Sequence, residues 1–325
     1  MSHATSAWPD LDTTDWSATR DALHLYLQIV GKYRLARTPW MIHSWHATFY
    51  PCARGLRSGM IEDAGRAVEI TFDFAHETLV IDLAGGASEE LPLGPDSVAG
   101  FDAAFRAALR RLGLNADFHH RPNEIADPVP FAEDHAERPY DGAAVRRFHR
   151  ALLSAAGVFE HFRTGFLGKS SPVHLFWGSF DLAVTRFSGD PAPLHPGGIP
   201  ALSDVVTQEA YSHEVASAGF WPGGGISDTA AFYAYAYPTP EGFARAEIDV
   251  PGVKWHEAAG EFVLPYETVR TSDDPAATLL SFLGQTFDAA CDLGDWDRER
   301  LTCRIGEPLR PRPVSASGGG GTSNE

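Results

Sequence analysis

Apolar and polar positions recur along this chain in two rhythms, and each predicts a different element. Leu23, Tyr26, Leu27 and Val30 fall at i, i+3, i+4 and i+7, so the spacing predicts a first helix over about 15–34. A second row on that helix, His24, Gln28 and Lys32, is polar; it is either a solvated face or a stripe overlooking a cavity. Clusters of β-branched and aromatic residues between polar breaks predict strands at 41–50, 67–74 and 78–83. Val98, Phe101, Phe105, Ala108 and Leu112 then mark one side of a helix, capped by Asp96 or Ser97 and closed by Gly113. Residues 118–140 hold four prolines and no periodic pattern, and read as a linker.

The second half opens with a helix over about 141–167, whose seam is Val145, Phe148, Leu152, Ala155, Phe159, Phe162 and Phe166. An extended run at 172–187 follows, then a Gly/Pro-rich excursion, strands at 231–237 and 261–264, and a last helix. That helix starts at Ser272-Asp273-Asp274-Pro275 and turns Leu279, Phe282, Leu283, Thr286 and Ala290 to one side. The expected fold class is therefore α+β, with two similar helix–sheet–helix lobes at 15–117 and 141–307. The offset from Leu35-Ala36-Arg37 to Leu167-Gly168-Lys169 equals that from Trp45 to Trp177, which fits either an internal duplication or chance. On the duplication reading, 188–230 is an insertion peculiar to the second lobe. Residues 1–14 are expected to be flexible and 308–325, rich in Gly and Ser, to be disordered.

Composition changes the picture mainly by exclusion. The 325 residues carry a net charge of −17, which disfavours nucleic acid and anionic membranes as partners. No apolar run reaches the roughly 20 residues of a membrane helix, and the first residues lack the basic head and apolar core of a signal peptide. Three scattered cysteines, Cys52, Cys291 and Cys303, form no CxxC and no disulfide framework, so a reducing cytoplasm is the expected location.

Candidate chemistry concentrates in 166–237. Read as one strand, Ser171–Asp181 puts His174, Phe176, Gly178 and Phe180 on one face and Trp177, Ser179 and Asp181 on the other. His174 and Asp181 could then cooperate only through a bulge at Gly178, where another group could also approach closely. Arg186 is a fork of donors suited to an anion, or a structural ion pair. His195 stands in a loop of prolines and glycines where it packs nothing obvious. A helix over 204–218 would set Glu209 and His213 four apart on one face, as a metal-ligating or tautomer-fixing pair or a plain surface pair. Trp221 precedes three glycines, a candidate lid, while Tyr233 and Tyr235 share a strand face as a candidate pocket wall. His43 and His46, on a strand, would face opposite sides. No HExxH, G-x-S-x-G, Walker or dinucleotide-binding spacing occurs, so no nucleotide cofactor is expected and a divalent metal rests on the histidines alone.

The segments GKSSPVHLFWGSFDLAVTRFSG, HPGGIP, EAYSHEVASAGFWPGGG and AFYAYAYP, with WPDL and IVGKYRLA near the start, resemble a family of bacterial proteins known only as a domain of unknown function. The resemblance runs over about 8–297 and implies one family architecture without an activity. The residues themselves point to an enzyme acting on a small polar or aromatic molecule. His174, His213 and Glu209 would serve in acid–base or metal-ligand roles, Asp181 would orient a histidine, and Arg186 would hold an anionic group. Trp177, His195, Trp221, Tyr233 and Tyr235 would contact the substrate. A non-catalytic small-molecule binding protein and a structural subunit of a homo-oligomer are the alternatives.

Overall fold

The computed structural model describes residues 6–11, 16–224 and 227–313. In the first half, α1 (Trp16–Leu35) is followed by a 3-10 turn at Ile42–Ala47 and by β1 (Thr48–Cys52), β2 (Gly55–Arg57), β3 (Ile61–Asp63), β4 (Arg66–Asp73), β5 (Thr78–Leu83) and β6 (Ser88–Pro92). A short β7 (Asp96–Ser97) leads into α2 (Val98–Arg111), and β8 (Glu137–Arg138) pairs with β7. The second half comprises α3 (Gly142–Arg163), β9 (His174–Phe176), β10 (Asp181–Pro191), α4 (Asp204–Ala210), β11 (His213–Trp221), β12 (Ala231–Tyr237), β13 (Lys254–His256) and β14 (Glu261–Pro265). The described chain closes with α5 (Tyr266–Arg270), α6 (Pro275–Leu293) and α7 (Arg298–Leu301).

The fold class is α+β. One antiparallel sheet runs β13-β14-β12-β11-β10-β9-β1-β2-β4-β5-β6, with β3 paired to β4 off that path. The halves meet where β1 pairs with β9, Thr48 opposite Phe176 and Phe49 opposite Leu175. Each half thus contributes a helix, an antiparallel meander and a second helix. The residue-level match does not follow this plan, because Trp45 precedes β1 whereas Trp177 follows β9.

The four long helices form where the apolar spacing predicts them. Ser97 Oγ accepts from the Gly100 amide, and Asp141 and Asp274 accept likewise from Ala143 and Ala277, satisfying amides that the first turn leaves unpaired. Side by side in the order α2, α1, α3, α6, they cover one face of the sheet. Phe148, Phe159 and Phe162 of α3 and Phe282 and Phe287 of α6 are buried there, each worth about 1.5–3 kcal/mol on transfer from water. Val68, Ile70 and Phe72 of β4 pack towards the helices, leaving Glu69 beside Asp82 on the far side. In the second half both faces are covered: Leu182, Val184, Phe220, Phe232 and Leu264 meet the helices, and Asp181, Ala183, Ser217 and Tyr233 point the other way, into a cavity.

Several boundaries differ from the expectation. Residues 42–47 are a tight turn with His43 and Ser44 at φ 63° and 60°, so the strand predicted over 41–50 begins only at Thr48. The run 171–181 is a hairpin: β9 and β10 pair with Phe176 opposite Asp181, and Phe180 takes φ 57° in the turn. The helix expected over 204–218 stops at Ala210, and β11, a central strand, lies within the stretch read as an insertion. Its residues alternate between two buried faces, a period of two that overrides the Glu209/His213 helical spacing. Residues 118–140 are packed into the fold, with Phe118 and Phe131 in the core. At the N-terminus Leu11 is buried, Trp8 lies against Phe232 and Tyr266, and the Tyr266 hydroxyl donates to the Pro9 carbonyl. Residues 1–5, 12–15, 225–226 and 314–325, with most of the tail expected to be disordered, lie outside the described residues.

Candidate functional site

The sheet face opposite the helices carries a cavity of about 320 Å³, at the small end of ligand pockets. Its floor is built by strand alternation. β10 contributes Asp181, Ala183, Thr185 and Phe187; β11 Val215, Ser217 and Trp221; β12 Tyr233 and Tyr235; β14 Glu261. The 40–47 turn, Asn123 and Glu124, and the 199–211 stretch with α4 close the sides.

Asp181 is the most enclosed acid of the floor, with 4% of its surface exposed. Ser179 Oγ donates to its Oδ1 and the Tyr233 hydroxyl to its Oδ2. Burial raises its pKa, and the two hydroxyl donors oppose that rise. Glu124 and Glu261 line the same space. Burial pushes Glu124 up to about 7 and Glu261 up to about 8, and the negative charge of Asp181 adds to both. Glu261 Oε2, Trp177 Nε1, Thr207 Oγ1 and Ser44 Oγ are buried on lining residues with no hydrogen-bond partner among the described residues. Unpaired buried polar atoms each carry a desolvation cost of about 1–3 kcal/mol, so their gathering around one cavity marks a place where a ligand's polar atoms would be stabilised.

The polar row of α1 holds this site together. His24 Nε2 faces the carbonyls of Trp177 and Gly178 at 3.0 and 2.9 Å. Gln28 donates to the carbonyls of Asn123 (2.8 Å) and Gly178 (3.2 Å) and accepts from the Asn123 amide at 3.0 Å. Lys32 donates to Asn123 Oδ1 at 2.5 Å, and burial brings its pKa down to about 8. The stripe is neither solvated nor a cavity wall; it clasps the β9–β10 turn to the 123–124 segment. Gly178 makes that possible, since a Cβ there would collide with the Glu124 carboxyl. Glu124 sits at φ 56°, and with His43 and Ser44 it makes three lining residues in the left-handed region, which costs L residues roughly 1–3 kcal/mol each.

Aromatic rings supply the walls. Tyr233 stacks on Tyr235 at 6.1 Å, Trp221 lies 4.3 Å from Tyr233, and the Tyr211 and Tyr235 hydroxyls are 3.0 Å apart. Near the 43–45 turn, His43 Nδ1 donates to the Ala210 carbonyl at 2.7 Å, which leaves Nε2 to accept from Lys169 Nζ at 2.6 Å. Burial lowers His43 to about 4, so the ring is neutral. The His43 amide donates to Glu209 Oε2, and the His213 ring lies 5.8 Å from that of His43.

Of the expected site residues, Trp177, Asp181, Trp221, Tyr233 and Tyr235 line the cavity. His174 does not. It pairs opposite Ala183 rather than near Asp181, is fully buried among Trp45, Tyr50 and Phe176, and has no partner on either nitrogen among the described residues. Arg186 faces the helices instead, its guanidinium 3.4 Å from the Phe162 ring and donating to the Phe162 carbonyl. His195 stacks on Tyr211 at 4.7 Å outside the lining. Glu209 and His213 meet through His43 beside the cavity, not as a helical pair. Glu124 and Glu261 escaped the sequence reading. The cue for Glu124 was Gly178, and for Glu261 the alternation with Phe262 on a strand beside the tyrosines. Among the described residues no group of three or more His, Cys, Asp or Glu side chains is arranged to hold a metal ion, and no helix is long and apolar enough to cross a membrane.

No curated protein and no solved structure matches the chain. A family of unknown function, DUF5996, matches residues 8–303, nearly the whole described fold. The chain belongs to that family.

Proposed function

We propose that the protein is an enzyme that acts on a small molecule in the second-half cavity, using carboxyl groups rather than histidines to move protons. The observation that carries this reading is the trio Asp181, Glu124 and Glu261 on one cavity, with Glu124 and Glu261 raised to about 7 and 8. Carboxyl groups poised near neutral pH hold a proton they can give up, which suits general acid–base chemistry. Burial chiefly keeps Glu124 and Glu261 protonated, and the charge of Asp181, whose carboxyl is held by Tyr233 and Ser179, adds to it. Trp177, Trp221, Tyr233 and Tyr235 form the walls that position the substrate.

The test is incubation of the purified protein with a small-molecule extract, followed by untargeted mass spectrometry. The wild type consumes at least one species that Asp181→Asn leaves intact. An extract unchanged by the wild type overturns the enzymatic reading. In that case a species retained by the wild type and released from Tyr235→Ala establishes the binding-protein reading, which the aromatic walls favour. The net charge of −17 disfavours nucleic acid as a partner, and the three cysteines are all unpaired, in keeping with a reducing cytoplasm. Exposed Trp40, Met41 and Ile42 form a contiguous apolar strip beside the cavity, the feature that favours a homo-oligomer.

A further inference from the structure

The cavity's lining is chemically one-sided. Among the described residues three carboxyl side chains line it, and neither a lysine nor an arginine does. The one histidine among the described lining residues, His43, is held neutral by burial and by the neighbouring Lys169 charge, against the opposing pull of its bond to the Ala210 carbonyl. Lys32 stands behind Trp177 and Asn123 rather than in the lining. A cation that enters therefore meets carboxyl groups that can ionise against it and no basic side chain among the described lining residues, and a low-dielectric enclosure strengthens that attraction.

The walls add a second preference. Trp177, Trp221, Tyr233 and Tyr235 present aromatic rings, whose faces attract cations by about 0.5–2 kcal/mol each when desolvated. A third observation concerns unpaired atoms. Trp177 is 5% exposed and Thr207 1%, yet Trp177 Nε1 and Thr207 Oγ1 have no partner among the described residues, and neither does Glu261 Oε2. The indole N–H needs an acceptor and the glutamate oxygen needs a donor, so the complementary ligand carries both. The carboxyls are not grouped as a metal site, and rings do not ligate hard cations. Dispersed acids between aromatic walls fit an organic cation.

Building on the reading of this cavity as the ligand site, we infer that its ligand is a small organic amine in its ammonium form, carried on an apolar body and bearing a hydrogen-bond acceptor. The ammonium sits against Glu261 and Asp181, and the acceptor meets Trp177. Entry of the cation stabilises the ionised carboxylates, so Glu124 and Glu261 release protons as it binds.

Isothermal titration calorimetry at pH 8 with three matched probes, each carrying a phenol oxygen as acceptor, tests this: tyramine, its neutral counterpart 2-(4-hydroxyphenyl)ethanol, and the anion 3-(4-hydroxyphenyl)propanoate. Tyramine should bind at least about tenfold more tightly than the alcohol, and the anion should give no heat. Repeating the titration near pH 7 in buffers of different ionisation enthalpy should reveal proton release. Glu261→Gln, which removes the charge at constant shape, should weaken the amine at least about fivefold, and Asp181→Asn should do the same. An alcohol or anion that binds as tightly as the amine overturns the inference. So does unchanged amine affinity in both carboxyl variants while Tyr235→Ala abolishes binding, but the cavity then survives as the ligand site. Amine binding that ignores Tyr235→Ala as well places the probe elsewhere and removes both readings. Absence of binding by all three probes overturns the amine class, and the site then rests on the extract experiment.

Discussion

Tyr233 reaches across an intervening strand to donate its hydroxyl hydrogen to Asp181. Tyr233 lies on β12 and Asp181 on β10, with β11 between them. The register sets Tyr233 opposite Gly219, and Gly219 opposite Ala183. Because Gly219 has no side chain, the phenol ring lies over its backbone, where a Cβ would collide with the ring and hydroxyl. One glycine thus permits the bond that fixes the central acid of the cavity.

Removing the two partners should have different consequences. Tyr233→Phe loses one hydrogen bond to a buried carboxylate and should cost about 1.5–3 kcal/mol of stability at pH 8. Gly219→Ala displaces the ring itself and should cost at least as much, by overpacking as well as by the lost bond. Urea unfolding midpoints measure both. A Gly219→Ala protein as stable as the wild type would contradict the close approach of ring and backbone.

Glu261 makes stability depend on pH in a defined direction. Its folded pKa, about 8, stands above the unfolded value of 4.5. Between these values the folded chain keeps a proton that the unfolded chain has lost, so this contribution is present below about 4.5 and disappears as pH rises towards 8. Glu261→Gln lacks that loss. The variant should match the wild type near pH 5 and exceed it by on the order of 2 kcal/mol near pH 8.5. A constant difference across that range would show that Glu261 titrates normally.

His174 acts on the acid side. Burial lowers its pKa from 6.5 to about 3, with Arg34 and Arg163 adding to the fall. The unfolded chain takes up a proton below 6.5 that the folded chain refuses, so stability falls as pH drops from 6.5 towards 3. His174→Leu replaces an unpaired ring by an apolar side chain of similar size. It should be at least as stable at pH 7, lose less on acidification to pH 4, and leave ligand affinity unchanged. Weakened binding in this variant would restore His174 as a site residue.

Gln28 is the clasp between α1, the β9–β10 turn and Asn123. Gln28→Leu abandons its bonds to Asn123 and Gly178, and should cost about 2–4 kcal/mol. Hydrogen exchange should then speed up at residues 123–125 while the β10–β11 ladder keeps its protection. Unchanged exchange at Asn123 would mean that other contacts hold the segment.

Local signals carried the helices and little of the cavity. The seam of α3, the caps at Ser97, Asp141 and Asp274 and the left-handed Gly113 are each readable within a few residues. The β9–β10 hairpin was hidden because its turn uses Phe180 at positive φ, a conformation that sequence does not advertise for phenylalanine. β11 was mistaken for helix because Glu209 and His213 have helical spacing, whereas the sheet partners that decide the matter lie on β10 and β12. Asp181 and the tyrosines stood out by type. Glu124 did not, since only its contacts with Gly178 and the α1 stripe bring it to the cavity. Glu261 needed the β12–β14 register, in which Tyr233 faces Val263 and Glu261 falls two positions further along the same face.

The central claim is that Glu124 and Glu261 hold their protons near neutral pH beside Asp181. A carboxyl-carbon NMR titration of the ¹³C-labelled protein, with Glu124→Gln and Glu261→Gln for assignment, measures this directly. The account predicts midpoints near 7 for Glu124 and near 8 for Glu261, both falling in Asp181→Asn. Midpoints near 4.5 for both glutamates, unmoved by Asp181→Asn, would contradict it.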